Sequence, residues 1–201
     1  MSVEENYIKF KELLSSVNRE GIGDLIAYLD TTDFKLAPAS TKYHGSCPGG
    51  LCAHSLAVYD TLVKIITSLG VTEYDQDTLK IVALLHDISK INSYEQSIRN
   101  EKVYKQNGSK YDELGNYDWE SKKCYKLKED RFVFVNHEST SEFIIRQFIQ
   151  LKIEESIAIM THHGGFDQTS LNPQTVGNIY AGHPLAIYLH VADLITAYTI
   201  C

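Results

Sequence analysis

The sequence has few cysteines and no long apolar segment, and both scarcities exclude classes of protein. Its four cysteines, at positions 47, 52, 124 and 201, show no Cys-x-x-Cys spacing. We therefore expect neither a disulfide framework nor a zinc site built from thiolates. No uninterrupted apolar run is longer than that of Ile81 to Leu85. A membrane-spanning helix needs roughly 20 such residues, so none is expected.

Basic residues are also scarce relative to acidic ones. Nineteen Lys and Arg stand against 26 Asp and Glu, which gives a formal net charge of −7. This balance disfavours extended nucleic-acid binding over a general basic surface, but it is compatible with small anions held by metal ions. The polar start, Met1 to Glu5, lacks the apolar segment of a signal peptide, so we expect a cytoplasmic protein.

The length and the hydrophobic pattern predict one mainly α domain over residues 1–201. At 43% apolar residues, the chain can bury a substantial core. Two loops rich in Gly, Pro or Asn are expected over 33–50 and 164–182, and turn signals over about 100–135 predict an inserted β-hairpin. Apolar residues at helical spacing predict helices over 3–17, 24–29, 51–69, 76–89, 138–150, 153–162 and 184–200.

Polar residues at core positions of these helices indicate a site. His54 lies one helical turn before Val58, a residue of the apolar stripe, so its ring should point inward and need a partner. Asp193 lies in an otherwise apolar helix, where a carboxylate without a cation is costly. Small neighbours on its stripe leave room for an ion, and His190 could orient the carboxylate.

The doublet His86-Asp87 is the most informative feature. His86 follows Val82 by one turn on the core face, and Lys90 follows His86 by one more. Neighbouring helical residues diverge by about 100°, yet both members of the doublet could converge on an ion near a helix end. Lys90 could then hold a phosphoryl oxygen. With His54, His137, His162 and Asp193 arriving from other segments, these residues predict a hydrolytic metal centre.

Each of these residues also has a simpler interpretation. A single histidine on an apolar face is more often a hydrogen-bonded core residue than a ligand. His137 could lie exposed at a helix start, and His162 and His163 could serve a helix C-terminus through its dipole. Asp193 could pair with His190, and Lys90 could be an exposed charge.

The order and spacing of these residues along the chain resemble the pattern of the HD-domain superfamily of metal-dependent phosphohydrolases; the residues are His54, His86-Asp87 and Asp193. The segment Leu84-Leu85-His86-Asp87-Ile88-Ser89-Lys90 is similar to its signature, with Ser89 where glycine is more usual. The resemblance covers about 32–198 and leaves 1–31 as N-terminal helices. The segments 37–45, 49–56, 162–167 and 183–186 are similar to a group of small HD proteins of Gram-positive bacteria and their phages.

The resemblance implies a ligand set. His54, His86, Asp87 and Asp193 match the ligands of the first metal. His137 and His162 match the additional histidines of two-metal members, where Asp87 bridges the ions and His163 completes the set. Imidazole and carboxylate without thiolate suit one or two ions of Fe, Mn, Co, Ni or Zn.

The function expected from these residues is metal-assisted hydrolysis of a phosphate ester or anhydride, with a small nucleotide as the favoured substrate. Asp87 and Lys90 are the expected catalytic residues, and Lys42, His44 and Lys90 the expected substrate contacts. A metal- and nucleotide-binding sensor without turnover, a 3′–5′ exonuclease and a di-iron oxygenase remain open, as do a phosphodiesterase specificity and the oligomeric state. The aromatic residues of the insertion are better explained by hairpin packing than by base stacking; they are Tyr104, Tyr111, Tyr117, Trp119 and Tyr125.

Overall fold

The computed structural model describes residues 1–42, 45–166 and 172–199, and within them the chain is mainly helical. The fold class predicted from the sequence is therefore confirmed. The described residues form eight helices and a three-stranded sheet in the order α1 Val3–Ser15, α2 Ile22–Asp30, α3 Gly50–Ser68, α4 Gln76–Leu85, a 3-10 turn over Ile88–Lys90, β1 Tyr94–Tyr104, β2 Lys110–Asp112, β3 Gly115–Leu127, α5 His137–Arg146, α6 Ile153–Met160, α7 Pro173–Gly182 and α8 Pro184–Thr199.

Side-chain caps fix where several helices begin. The Ser2 hydroxyl accepts a hydrogen bond from the backbone N–H of Glu5, whose carboxylate accepts one from Ser2 in return. Asp75 caps α4 and Asn136 caps α5, in each case by accepting from the N–H three residues later. These bonds satisfy donors that the first helical turn leaves without a partner.

Helix α3 lies at the centre of the packing. It contacts α1, α4 and α8, while α6 packs against α8 and α5. Leu62 of α3, Leu84 of α4 and Leu189 of α8 are fully buried between these helices. Each such side chain stabilises the fold by about 1.5–3 kcal/mol relative to an exposed position. The helices that carry the candidate residues are therefore held by one continuous core.

The insertion is an antiparallel sheet in the order β1-β3-β2. Its register pairs Tyr94 with Leu127 at the base and Tyr104 with Tyr117 near the tip. The rings of Tyr104 and Tyr117 lie 5.7 Å apart, and Trp119 contacts Tyr117 edge-on at 6.0 Å. These contacts favour the packing interpretation of the aromatic residues. The strands begin at Tyr94, earlier than predicted, because the turn signals mark the tip and not the base.

The structure corrects several predicted helix ends, among them that of α5, which ends at Arg146 and not at Gln150, and it adds one helix. Residues 173–182 form α7, although the sequence predicted a loop over 164–182. Asn172 caps this helix by accepting from the Thr175 N–H, and Pro173 occupies its first turn, where a missing N–H costs nothing. Helix α4 ends at Leu85 and not at Ser89. No helix within the described residues has the length and apolar character needed to cross a membrane.

Candidate metal centre

Four side chains predicted from the sequence meet where α3, α4 and α8 pack together. The imidazoles of His54 and His86 are fully buried, as is the Asp87 carboxylate, and Asp193 is nearly so. His54 Nε2 lies 2.9 Å from Asp193 Oδ1, and His86 Nε2 lies 3.7 Å from the same oxygen. The inward orientation predicted for His54 and Asp193 is therefore what the structure shows.

The early end of α4 explains how two adjacent residues reach one site. His86 keeps helical angles, but Asp87 has φ −108° and ψ 16°, and a 3-10 turn follows. This change of backbone direction removes the divergence of about 100° that a continuous helix would impose. Ser89 is buried, and its hydroxyl accepts from the Ser141 hydroxyl of α5. Ser89 is not among the residues with positive φ, so serine fits here without strain.

The two oxygens of Asp87 face different histidines. Oδ2 lies 3.4 Å from His86 Nε2 and 3.7 Å from His54 Nε2. Oδ1 lies 3.7 Å from His162 Nε2 and 3.8 Å from His137 Nε2. One carboxylate thus stands between two groups of imidazoles, which is the arrangement that a bridging ligand requires.

The second group of histidines comes from α5 and from the turn after α6. His137 is the first residue of α5, and His162 and His163 follow the end of α6. Neither the exposed position considered for His137 nor a purely dipolar role for His162 fits, because both rings face Asp87. Gly164 has φ +57°, and a Cβ there would lie 2.5 Å from the Tyr180 hydroxyl, so the turn requires glycine.

Backbone carbonyls set the tautomer of two rings. His86 Nδ1 lies 2.9 Å from the Ala83 carbonyl oxygen, and His162 Nδ1 lies 2.7 Å from that of Ile159. Because a carbonyl only accepts, each Nδ1 carries a proton, and Nε2 is the ring nitrogen that faces the cluster. Within the described residues, Nε2 of His86, His137 and His162 and Oδ1 of Asp87 are buried without a hydrogen-bond partner.

Such buried atoms fit a cation. Three sets of side chains, overlapping at His86 and His162, have ligand atoms within 4.8 Å of one another and could hold a metal ion. The sets are His54, His86 and Asp193; His86, Asp87 and His162; and His137, His162 and His163. All the donors are imidazole nitrogens or carboxylate oxygens, which suit Fe, Mn, Co, Ni or Zn.

The carboxylates of the cluster stay ionised. Burial raises the pKa of Asp87, but the charges of Lys90 and His86 outweigh it and hold the pKa well below the usual range. Asp193 behaves in the same way, because His54 and His86 outweigh its burial and lower its pKa. Two buried negative charges therefore face the imidazoles.

The histidines respond to burial and to these charges in different ways. Burial lowers the pKa of His162, and it lowers the pKa of His137 to about 2. Burial also opposes charge on His86, but Asp87 and Asp193 together raise its pKa to about 10. The same negative field that holds a proton on His86 would attract a metal cation.

Lys90 lies at the cluster, but the structure gives no such position for the other predicted substrate contacts. Lys90 Nζ lies 2.6 Å from Asp87 Oδ2 and is largely buried, so it is not merely an exposed charge. Lys42 is exposed and lines neither of the cavities beside the cluster, so its predicted contact with a substrate stays a prediction. His44 lies outside the described residues.

Two residues near the cluster differ from what the sequence indicated. His190 does not orient Asp193, because its Nδ1 lies 2.6 Å from the backbone oxygen of His162 and binds there. Sequence reasoning missed Glu138, whose buried carboxylate lies 3.1 Å from His137 Nδ1 and 3.3 Å from His163 Nδ1. Its position directly after His137, in a first helical turn, was the available signal. Carboxylates of this kind orient ligating histidines.

Two cavities open beside the cluster and share His163 as a wall. The first, which we call the Arg131 cavity, measures about 400 Å³ and is also lined by Lys90, Tyr94, Arg131 and His137. The second, the Tyr198 cavity, measures about 600 Å³ and is lined by Phe166, Asp193, Leu194 and Tyr198 among others. A substrate therefore has access to the histidines from two sides.

The chain matches the family model of the HD domain over residues 51–198. No curated protein matches the chain. No solved structure matches it either. The matched range begins in α3, just before His54, and ends in α8, just after Asp193, and so contains every residue of the cluster described above.

Proposed function

This chain belongs to the HD-domain superfamily, whose members are metal-dependent phosphohydrolases. We therefore propose that it hydrolyses a phosphate ester or anhydride of a small nucleotide. The observation that carries the proposal is the position of Asp87, with one oxygen toward His54 and His86 and the other toward His137 and His162. A bridging carboxylate between two imidazole groups is typical of a two-ion hydrolytic site.

We assign the ligands accordingly. His54, His86 and Asp193 would hold one ion, His137, His162 and His163 would hold the other, and Asp87 would contact both. Ions of this kind supply a water of lowered pKa and neutralise charge on phosphoryl oxygens. Fe, Mn, Co, Ni and Zn all suit this ligand set.

The protein's own groups then have defined tasks. The carbonyls of Ala83 and Ile159 keep Nε2 of His86 and His162 directed inward, where a bound ion would replace the second proton of His86. The Lys90 ammonium holds Asp87 Oδ2, and its remaining N–H donors are available to a phosphoryl oxygen at the wall of the Arg131 cavity. We therefore assign Asp87 and Lys90 as the catalytic residues.

A small substrate is favoured over a polymer. The formal net charge is −7, so the protein as a whole repels a long polyanion. The Tyr198 cavity, with the largely exposed rings of Phe166 and Tyr198 at its walls, has the size and the apolar character suited to a base or sugar.

The test is release of phosphate or nucleoside from a panel of mononucleotides, nucleoside triphosphates and cyclic dinucleotides. The protein is assayed with added Mn, Co, Ni or Fe, and compared with Asp87→Ala. Asp60→Ala is the matched control, because Asp60 is a half-exposed carboxylate of α3 that pairs only with Lys9 in the described structure. We expect turnover in the wild type and in Asp60→Ala, and its loss in Asp87→Ala. Turnover that survives in Asp87→Ala, or its absence with every metal and substrate, would contradict the proposal.

A further inference from the structure

The two cavities beside the cluster differ in charge. Lys90 and Arg131 line the Arg131 cavity, and no carboxylate side chain is among its described lining residues. Among the described lining residues of the Tyr198 cavity, Asp193 is the charged one, and the others have aromatic, aliphatic or imidazole side chains. An anionic group is therefore attracted to the first cavity, and an uncharged ring to the second.

Arg131 differs from Lys90, the other cation of this wall, because no carboxylate balances its charge within the described residues. Its Nη1 donates to the backbone oxygen of Lys128 at 3.0 Å, and within the described structure it forms no ion pair with a carboxylate. The charge of Lys90, in contrast, is balanced by Asp87 Oδ2 at 2.6 Å, and its remaining N–H donors face the phosphoryl group that reacts. A guanidinium has five N–H donors in a planar fork that matches two oxygens of a phosphate group. Most of that fork remains available to a ligand.

The surroundings of Arg131 suit a bound anion. Arg131 is partly buried on the segment between β3 and α5. Ser93, Tyr94 and Thr140 line the same cavity, but their hydroxyls donate to backbone oxygens, so the cations of this wall supply the donors for an anion. Partial burial strengthens an ion pair because less water screens it. His137 and His163 line this cavity as well, so its occupant is adjacent to the histidine cluster.

We propose that Arg131 determines specificity by binding a second phosphate group of the substrate, beyond the one that is hydrolysed. The inference rests on the proposed function and narrows its substrate class to phosphate anhydrides. The organic part occupies the Tyr198 cavity, the reacting phosphorus lies at the cluster, and the distal phosphate lies against Arg131. Water adds its oxygen to the phosphorus, and the bond from that phosphorus to the bridging oxygen breaks. The departing phosphate keeps the electron pair, and a proton of the water passes to solvent.

The experiment measures binding without turnover, by titration calorimetry of the Mn²⁺-loaded protein with inorganic pyrophosphate and with inorganic phosphate. We expect the wild type to bind pyrophosphate more tightly than phosphate. Arg131→Gln should weaken pyrophosphate binding about ten- to a hundredfold, because it removes a charged hydrogen-bonding partner. Its affinity for phosphate should stay within about twofold. Arg131→Lys, which keeps the charge but not the fork, should fall between the two.

Lys128→Gln is the matched control. It removes a neighbouring cation whose side chain does not line the cavity, so it should leave the preference for pyrophosphate intact. Metal content measured after each titration shows whether pyrophosphate has extracted the ions.

The proposal would be overturned if Arg131→Gln lost affinity equally for pyrophosphate and for phosphate. It would also be overturned if Arg131→Gln and Lys128→Gln lost the same affinity for pyrophosphate. The preference for pyrophosphate can be observed even if no phosphate ester is hydrolysed, in which case only the proposed function fails. Conversely, if Arg131→Gln slows hydrolysis of nucleoside mono- and diphosphates equally, this subsite is refuted and the hydrolase activity stands.

Discussion

Replacing Glu138 with glutamine should weaken metal binding without removing a ligand. The Glu138 carboxylate lies 3.1 Å from His137 Nδ1 and 3.3 Å from His163 Nδ1, and it is almost completely buried. Its Oε1 faces the His163 ring, and its Oε2, which has no hydrogen-bond partner within the described residues, faces the His137 ring. The negative charge of the carboxylate therefore favours both rings with Nδ1 toward Glu138 and Nε2 toward the cluster. Glutamine has nearly the same shape but only one accepting oxygen, and its amide group would face one of the two N–H donors.

The magnitude follows from the role of such partners. Loss of a carboxylate that orients ligating histidines typically lowers metal affinity by about ten- to a hundredfold, which corresponds to about 1.4–2.7 kcal/mol. We expect this loss for the ion that His137, His162 and His163 would hold, because the two rings that face Glu138 belong to that set. The ion held by His54, His86 and Asp193 should be affected less.

The assay is a competition titration of Zn²⁺ or Mn²⁺ against a chromophoric chelator, which resolves the affinities of the two ions. Glu142→Gln is the matched control, since Glu142 lies one turn further along α5 and binds Arg146 and Ser156 away from the cluster. A Glu138→Gln protein that binds both ions as tightly as Glu142→Gln does would refute the reasoning.

Three further predictions concern stability. Arg19→Met leaves the fully buried Glu155 carboxylate without the two 3.0 Å hydrogen bonds that Arg19 donates. The free energy of unfolding in urea should therefore fall by about 3–5 kcal/mol, and a decrease below about 1 kcal/mol would contradict the importance of this pair. Burial raises the pKa of Glu155, but Arg19 and the Lys152 N–H outweigh it and lower the pKa below 4.5. This stabilisation is thus complete above the unfolded pKa and is lost as the pH falls through the folded one, so acid unfolding profiles should be steeper for the wild type than for Glu155→Gln, and parallel profiles would argue against it. Gly21→Ala should destabilise by about 1–3 kcal/mol, because Gly21 has φ +87° and an added Cβ would lie 1.9 Å from the Phe148 carbonyl oxygen; Gly23→Ala, with open space around it, should be neutral or stabilising in thermal melts, and equal effects of the two would be inconsistent with this account.

The sequence was sufficient for the inward-facing members of the cluster because helical periodicity determines which side of a helix a residue occupies. His54 and Asp193 lie on apolar stripes, and both are buried in the structure. The convergence of His86 and Asp87 could be stated only as possible, because it depends on a backbone change at Asp87 that periodicity does not encode.

Residues that act through tertiary contacts were harder to predict. Glu138 looks like an ordinary acidic residue in a first helical turn, and its contact with His163 arises only when α5 packs beside α6. Arg131 lies in the segment after the hairpin, where no hydrophobic periodicity indicates which side chains line a cavity. The helix α7 was missed for a different reason: Asn172 and Pro173 are read as loop signals unless they are recognised as an N-cap and a first-turn proline.

The central claim is that Asp87 stands between two metal ions, and the most direct test is the number of ions bound per chain. Native mass spectrometry of the chelator-treated protein after reloading with Zn²⁺ or Mn²⁺ measures that number. We expect two ions in the wild type, and one in a His137→Ala/His162→Ala variant that retains His54, His86 and Asp193. A wild-type protein that binds fewer than two ions, or a double variant that still binds two, would contradict the account.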